Sequence, residues 1–293
     1  MPTSISVTVV NAFVDGSEGG NPAGVVLHAD SLSAQQKLAL ARKIGLSETA
    51  FVSRSERAAF KLEFFTPSCQ IAHCGHATVA AFSLLRARGL IGDGPTSKET
   101  IDGLRAIEVE AGMVFMEQRA PRYAELAPAA LPQVLASLGV DAAALAADVA
   151  PCVVDTGNPF LLLALLDQAA LLALRPDFAA IAAACEAADC VGYYVFSRDP
   201  GAPQSQAVAR MFAPRYGIDE EAATGTAAGP LACLLHARAG QTRTLMRIEQ
   251  GRLMAAPSPS ILNVRLSLDA GGAIERLFVG GAARVGAARE MSV

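Results

Sequence analysis

Hydrophobic and polar positions divide the first part of the chain into short strands and a helix. Ile5 to Val10 is rich in β-branched residues, and Ala23 to Leu27 is a second apolar run that follows the sequence GGNP. Such runs are typical of strands, and GGNP is typical of a turn. Ser33 and Gln36 have the spacing of a capping box, and Gly45 stands where a left-handed residue ends a helix. The pattern predicts strand, turn, strand and helix.

The pattern continues through the rest of the chain. LSETAFV begins a strand, Phe60 to Phe65 forms the next one, and HCGHATVAAFSLL leads into an apolar helix. Helical patterns fall at 33–44, 76–88, about 131–148 and 226–238, with shorter ones near 168 and at 178–187. Strands outnumber helices and do not alternate with them regularly. We therefore predict an α+β fold, mostly antiparallel, with a central α-helix in each half.

Two features of the first half recur in the second half. A Gly-Asn-Pro turn recurs at Gly157 to Pro159, and EEAATGTAAGPLACLL again leads from small and polar residues into an apolar helix. The repeated order suggests a duplication, and the polar segment EQRAPR at 117–122 is the expected linker. We predict two pseudo-symmetric domains, residues 1–118 joined by about 276–293, and residues 119–275.

Composition and charge narrow the possible functions. The chain has 293 residues, is 52% hydrophobic and carries a net charge of −4, so it has ample material for a core. Nucleic acids and anionic membranes bind concentrated basic surface, which an acidic chain does not favour. The start, MPTSISVTVV, has no signal-peptide pattern, and the longest apolar run is too short for a membrane span. We expect a cytoplasmic protein that binds neither nucleic acid nor membrane.

The six cysteines are expected to be reduced thiols, because a chain of this length needs no disulfides. Cys69 and Cys74, with His73 and His76, form the one cluster that resembles a metal site. A structural zinc site usually pairs two short ligand segments, and the sequence shows no second one, so we expect no metal. The sequence also lacks a P-loop, a GxSxG elbow and a GxGxxG turn before a helix. We expect no cofactor.

Two helix starts and three acidic residues are candidates for chemistry. Gly75 and Gly225 open apolar helices, where backbone N–H groups and the positive dipole end bind a carboxylate; alternatively, these glycines only permit close packing. Glu48 precedes an apolar strand, where burial would raise its pKa towards the working pH of a general acid/base. The alternative is an exposed glutamate at a strand edge. Glu220 and Glu221 lie just before the second helix and could also reach a substrate.

The chain resembles the phenazine-biosynthesis PhzF-like proteins of the diaminopimelate epimerase fold. The resemblance rests on six motifs spread along nearly the whole chain: GGNPAGVVL, LSETAFV, FFTPSCQIAHCGHATVAA, RMFAP, GIDEEAATGTAAGPL and IEQGRLM. It implies two similar domains, each a mostly antiparallel β half-barrel around a central α-helix, with a cleft between them, and a homodimer. It also implies a cofactor-independent isomerase that transfers a proton on a small anionic metabolite bearing a carboxylate.

The resemblance assigns roles by motif position. Glu48 matches the family's acid/base, His76 matches a histidine that contacts substrate, and Thr226 stands where a serine or threonine closes the second helix start. The expected catalytic residues are Glu48 and Glu221. The expected substrate-binding residues are Gly75, His76, Thr224, Gly225 and Thr226, with Cys74 as a further candidate.

This chain departs from the family pattern in two places. Glu221 stands where the family commonly has Asp, which adds one methylene, and Ala222 replaces a proline that would stiffen the turn. The sequence at 255–258, AAPS, replaces Gly-Arg-Pro-Ser and so lacks an arginine that would pair with an anion. These differences leave the precise substrate open.

Two other functions compete with this isomerase. Cys74 matches the first of two catalytic cysteines in diaminopimelate epimerases and proline racemases, and a helix N-terminus lowers a thiol pKa as that chemistry needs. Thr224 replaces the second cysteine. A two-base epimerase or racemase is therefore less favoured, and Cys74 is expected to line the pocket as a small apolar group. The main alternative is a non-catalytic ligand-binding or protein-interaction module with the same fold.

Overall fold

The computed structural model describes residues 4–292. Its strands, in chain order, are β1 (Ser4–Ala12), β2 (Asn21–Val26), β3 (Thr49–Ser53), β4 (Phe60–Phe65), β5 (Gln70–Ile71), β6 (Gly94–Thr100), β7 (Gly103–Glu110), β8 (Met113–Gln118), β9 (Arg122–Glu125), β10 (Cys152–Asp155), β11 (Pro159–Leu165), β12 (Gly192–Ser197), β13 (Ala207–Ala213), β14 (Ile218–Glu221), β15 (Leu245–Gln250), β16 (Ser260–Leu268), β17 (Ile274–Gly281) and β18 (Ala283–Ser292). The α-helices are α1 (Ala34–Ile44), α2 (Gly75–Ala87), α3 (Leu131–Leu138), α4 (Gln168–Ala173), α5 (Phe178–Ala187) and α6 (Gly225–Arg238).

The chain divides into two compact units. Unit 1 contains Met1–Glu117 and Gly280–Val293, and unit 2 contains Gln118–Val279. Both units combine a large, mainly antiparallel set of strands with few helices. The fold class is therefore α+β, as the pattern of strands and helices predicts.

The same order of strand pairings occurs in both units. In unit 1, β1–β2 is antiparallel, β2–β3 parallel, β3–β4 antiparallel, β4–β6 parallel and β6–β7 antiparallel. In unit 2, β10–β11, β11–β12, β12–β13, β13–β15 and β15–β16 follow the same alternation. The short strands β5 and β14 pair antiparallel with β4 and β13, and each leads directly into a long helix.

Each unit buries one long helix. Every residue of α2 from Gly75 to Leu85 is buried, and the helix packs against β1, β2, β3 and β18. Most of α6 is also buried, against β10, β11 and β16. A helix that is apolar on all sides belongs in a core, which explains why neither sequence shows a polar stripe. The first turn of α2 is buried throughout, whereas in α6 Thr226 of the first turn is partly exposed.

Shorter helices cover the other face of the strands. In unit 1, α1 joins a cluster with Val7, Val26, Phe51 and Phe65. In unit 2, residues of α3, α4 and α5 pack with residues of β11, β12 and β13. Strands covered on both faces tend to be mainly apolar throughout, and the fully buried β3, β12 and β13 follow this tendency apart from Arg210 and the terminal Thr and Ser residues.

Most of the predicted helices are confirmed, and one is wrong. The capping box of α1 is present, with Ser33 accepting from the backbone of Gln36 and Gly45 at φ 72° as its left-handed end. The helix predicted over 131–148 stops at Leu138, because Gly139 takes the left-handed conformation at φ 69°. A separate 3-10 turn follows at Ala142–Ala144.

The turn at GGNP is shorter than the sequence predicted. Asn21 and Pro22 belong to β2, where they pair with Ala12 and Asn11, so the turn ends at Gly20.

All six cysteines are free, as expected. Among residues 4–292, the structure contains no helix with both the length and the apolar character that a bilayer span requires.

Candidate active site

Glu48 lies at the entrance to β3 and is buried. Its backbone carbonyl accepts a hydrogen bond from Gly24 N at 3.1 Å, which ties it to β2. Its side chain is only 7% exposed, and its Oε2 lies 3.2 Å from Nε2 of His76. The alternative of an exposed glutamate at a strand edge is therefore wrong. The carboxylate faces a histidine of the first turn of α2.

The start of α2 places a thiol beside the same histidine. Cys74 is the N-cap residue, yet its side chain does not cap the helix. Its Sγ lies 3.6 Å from Nδ1 of His76. The Thr78 hydroxyl donates to the Cys74 carbonyl oxygen at 2.6 Å, which fixes the backbone at the helix start. The Cys74 thiol thus contacts an imidazole ring, not only apolar atoms.

The three buried groups influence one another's protonation. Burial pushes the pKa of Glu48 upward, but the hydrogen bond and charge of His76 outweigh burial and leave the pKa below its ordinary value. Burial disfavours the imidazolium, yet Cys74 and Glu48 raise the pKa of His76 well above its ordinary value. Burial raises the pKa of the Cys74 thiol. Because the pKa of Glu48 is lowered, its carboxylate is ionised at neutral pH, and the expectation that burial would raise this pKa is wrong.

These side chains are also the potential metal ligands of the described chain. Glu48, Cys74 and His76 each offer a ligand atom, and these atoms lie within 4.8 Å of one another. Cys69, part of the cluster considered from the sequence, is exposed. A metal ion at this position would compete with protons for His76 and Cys74.

In unit 2 the second predicted carboxylate is held by its own loop. The Thr224 hydroxyl donates to Oε2 of Glu221 at 2.5 Å. Glu221 is partly buried at the end of β14, and Thr224 is the N-cap of α6. The hydroxyl that would normally cap the helix is therefore engaged by the carboxylate.

Gln250 braces this loop, a role that the sequence did not reveal. Its Oε1 accepts from Thr224 N at 3.0 Å and from the Tyr194 hydroxyl at 2.9 Å. Its Nε2 donates to the Glu221 carbonyl oxygen at 2.7 Å and to Thr224 Oγ1 at 3.1 Å. The side chain is fully buried. The motif IEQGRLM contains this glutamine, and a polar residue at the end of an apolar strand is the signal that could have identified it.

Glu220 has a structural role. Arg210 donates from Nε and Nη2 to the two carboxylate oxygens of Glu220 at 2.7 and 2.9 Å. Nη1 of Arg210 donates to the Leu171 carbonyl oxygen at 3.0 Å. The arginine of the RMFAP motif thus ties β13 to β14 and to α4. Glu220, considered from the sequence as a second group that could reach a substrate, is occupied by this pair.

A buried glutamine holds the first turn of α6 in position. Gln118 donates from Nε2 to the Gly225 carbonyl oxygen at 2.8 Å and accepts from the Thr156 hydroxyl at 2.7 Å. Gly229 permits this approach, because a Cβ there would collide with the Gln118 amide. Gly225 is buried and Thr226 is partly exposed. As in α2, no N-cap side chain accepts a hydrogen bond from the first turn.

The predicted site residues thus form two clusters, one in each unit. Unit 1 brings together Glu48, Cys74, Gly75 and His76. Unit 2 brings together Glu221, Thr224, Gly225 and Thr226. Each cluster combines a carboxylate with a helix start whose backbone amides lack a side-chain cap. Such a helix start binds anions.

Comparison with known proteins identifies the family of this chain. A family model described as "Phenazine biosynthesis-like protein" matches residues 10–288. An uncharacterised isomerase of Salmonella typhimurium, YddE, is 34% identical over 237 residues, covering 78% of each chain. The trans-2,3-dihydro-3-hydroxyanthranilate isomerase of Pseudomonas chlororaphis is 33% identical over 259 residues, covering 85% of this chain and 87% of its own.

A solved structure has the same fold. The PhzF-family phenazine biosynthesis protein of Bacillus anthracis superposes with a TM-score of 0.90 at 24% identity, covering 99% of this chain and 100% of its own. The family model covers nearly the whole chain, as the six sequence motifs do. This chain belongs to the PhzC-PhzF family of phenazine biosynthesis-like proteins.

Proposed function

We propose that this protein is a cofactor-independent isomerase that transfers a proton on a small metabolite bearing a carboxylate. The observation that carries the proposal is the buried pair of Glu48 and His76 at the first turn of α2, 3.2 Å apart. A base and an acid of opposite charge in a buried site suit proton transfer to and from carbon. The names of the relatives as isomerases support the same reaction class.

Glu48 is the proposed proton shuttle. Because its pKa is held low, its carboxylate is ionised at neutral pH and can remove a proton from a carbon conjugated with the substrate carboxylate. The electron pair of the broken C–H bond moves into the conjugated system. Glu48 then delivers a proton, which has exchanged with solvent while on the carboxyl group, to another carbon of the allylic framework, so one C–H bond breaks, one forms and no oxidant is needed.

His76 and the helix starts have the electrostatic role in this mechanism. The His76 imidazolium offsets the negative charge that develops on the substrate during proton removal. The start of each long helix is a proposed anion-binding element, with Gly75 in unit 1 and with Gly225 and Thr226 in unit 2. Within unit 2, Glu221 is a proposed acid/base, with Thr224 as the donor that orients it.

The relative from Pseudomonas chlororaphis suggests the first substrate to test. That protein is named for the isomerisation of trans-2,3-dihydro-3-hydroxyanthranilate. The compound has the properties that the site requires, namely a carboxylate and an unsaturated ring. Glu221 and the segment at 255–258 depart from the family pattern, so other unsaturated ring carboxylates belong in the same screen.

Replacing the shuttle tests the function. Glu48→Gln keeps the shape of the side chain but cannot accept a proton, and we expect turnover to fall at least about a thousandfold. The matched control is Glu56→Gln, a change at an exposed glutamate. The reaction is run in deuterated water, and deuterium at carbon is measured by NMR. Retained turnover in Glu48→Gln would exclude the shuttle role.

The same experiment separates the competing functions. A non-catalytic ligand-binding or protein-interaction module binds the carboxylate without incorporating deuterium. A two-base epimerase requires a thiolate, whereas burial raises the pKa of Cys74. We expect Cys74→Ser to retain turnover within about tenfold. Loss of turnover in that variant, together with inactivation by thiol reagents, would favour the epimerase.

The finer architecture is part of the proposal. We propose that each unit is a β half-barrel wrapped around its long helix, α2 or α6, and that the two arose by duplication. The matching order of strand pairings supports this interpretation. We also propose that the protein is cytoplasmic and that it forms a homodimer. Sedimentation equilibrium tests the homodimer directly.

A further inference from the structure

Lys98 is a fully buried lysine directly behind the first turn of α2. It lies on β6 and has no exposed surface. Its Nζ donates to the Thr78 hydroxyl at 2.7 Å, lies 3.5 Å from Nδ1 of His73 and 5.3 Å from the centre of the Phe64 ring. In the described part of unit 1, no carboxylate forms an ion pair with it. A buried ammonium with only neutral partners is unusual and calls for a reason.

A continuous series of contacts joins Lys98 to the proposed site. Lys98 donates to the Thr78 hydroxyl, which in turn donates to the Cys74 carbonyl oxygen. The Cys74 thiol touches one nitrogen of His76, and the other nitrogen of that ring faces Glu48. Moving Lys98 would therefore move the backbone that carries both the thiol and the imidazole.

The charge of Lys98 responds to pH in the neutral range. Burial lowers the pKa of Lys98 to about 7, while Cys74 and Asp102 favour the charged form and Arg105 opposes it. Arg105 and Asp102 pair with each other at 2.6 Å, so neither is devoted to the ammonium. His73, from the segment before α2, is the remaining titratable neighbour. An anion bound at the helix start would favour the charged form of Lys98.

We propose that Lys98 is a positioning residue of the isomerase, holding the first turn of α2 through Thr78 and adding positive charge behind the amides that bind the substrate carboxylate. The inference rests on the proposed function of Glu48 and His76. It assigns a role in substrate binding to Lys98, although this residue is fully buried and is not proposed to contact the substrate. Lys98 acts through the backbone at Cys74 and through its charge.

Three variants separate position from charge. Lys98→Met removes both the hydrogen bond and the charge, and Lys98→Arg keeps a permanent charge. Lys61→Met is the control, because Lys61 lies on the neighbouring strand with its side chain 47% exposed. With trans-2,3-dihydro-3-hydroxyanthranilate at pH 6.5, we expect kcat/KM of Lys98→Met to fall about 10- to 100-fold, and that of Lys61→Met to stay unchanged.

The pH profile distinguishes this role from a merely structural one. In the wild type, KM should rise between pH 6.5 and 8.5 as Lys98 loses its proton. KM should be high at every pH in Lys98→Met, and the rise should be smaller in Lys98→Arg. A loss that is equal at every pH and not restored by arginine would overturn the proposal. If Lys98→Arg does not fold, the profile of Lys98→Met decides.

A measurement without substrate tests the positioning separately. Hydrogen–deuterium exchange of the amides at 75–77 should be at least about tenfold faster in Lys98→Met than in the wild type and in Lys61→Met. Unchanged exchange together with unchanged KM would overturn the proposal. Glu48→Gln is assayed in parallel: if it retains turnover, the proposed function fails, whereas amide exchange still decides whether Lys98 positions α2.

Discussion

Replacing Lys98 by methionine should make the protein more stable at acidic and neutral pH. Methionine has a similar length and no charge, so it fills the same space beside Phe64. In the native protein the ammonium is fully buried and has no carboxylate partner among the described residues. The charge therefore destabilises the folded state, and removing it relieves that cost.

The magnitude follows from the pKa of Lys98. Lowering it from 10.5 to about 7 corresponds to about 5 kcal/mol against the charged folded form. The variant also loses the hydrogen bond to Thr78, about 1 kcal/mol, whereas the contact of the ammonium with Phe64 is already included in the pKa. The net expectation is a gain of about 4 kcal/mol at pH 6. Thr78 still donates to the Cys74 carbonyl oxygen, so no buried donor is stranded.

The dependence on pH identifies the cause. Between pH 7 and 10.5 the unfolded chain binds a proton at Lys98 that the folded chain has released, so wild-type stability rises with pH relative to the variant. The difference should be constant below pH 7, shrink by about 1.4 kcal/mol per pH unit above it, and vanish near pH 10. Groups present in both proteins cancel from the difference.

Denaturant unfolding of both proteins at pH 6, 7, 8 and 9 measures this difference directly. Lys61→Met, at the exposed position on β4, is expected to change stability by less than about 0.5 kcal/mol at every pH. A variant that is less stable than the wild type at pH 6 would refute the reasoning. A gain that is the same at pH 6 and pH 9 would show that its origin is not the charge.

Three further predictions concern the two clusters. His76→Asn removes the group that holds the pKa of Glu48 down, so burial raises that pKa and the acid limb of kcat/KM against pH should move to higher pH. Gln250→Leu leaves a backbone amide and a tyrosine hydroxyl without their acceptor, and should lower the free energy of unfolding by about 2–4 kcal/mol in urea. Gly229→Ala adds a methyl group against a buried amide and should lower thermal stability by about 1–3 kcal/mol, as measured by calorimetry.

Local sequence signals were sufficient to predict the ends of a helix where capping residues determine those ends. The capping box at Ser33 and the left-handed Gly45 specify the limits of α1 without reference to the rest of the chain. The same kind of signal, Gly139, ends α3, but the apolar pattern continues beyond it and gave too long a helix. The extension of β2 over Asn21 and Pro22 depends on pairing with β1, which the turn propensity of those residues does not show.

The sequence named candidate site residues, but it did not predict their environment. The motifs singled out Glu48 and Glu221, yet the burial of Glu48 depends on β2 and α2 together, which no local pattern shows. The motif position distinguishes Glu221 from Glu220 in the sequence, but only the position of Arg210 in the structure shows that Glu220 belongs to a structural ion pair. Lys98 gave no signal, because its partners are distant in the sequence.

The charges around α2 give a reason why an unfavourable lysine is present. The Glu48 carboxylate is balanced by the His76 imidazolium. Among the described residues of unit 1, no carboxylate forms an ion pair with Lys98, and the positive end of the helix dipole adds about half a charge beside it. A substrate with one carboxylate balances this positive charge. The two binding events are thermodynamically linked. If the charge of Lys98 increases the affinity for an anion by some factor, then a bound anion increases the affinity of Lys98 for its proton by the same factor. A bound carboxylate should therefore narrow the stability gap between the wild type and Lys98→Met at pH 7.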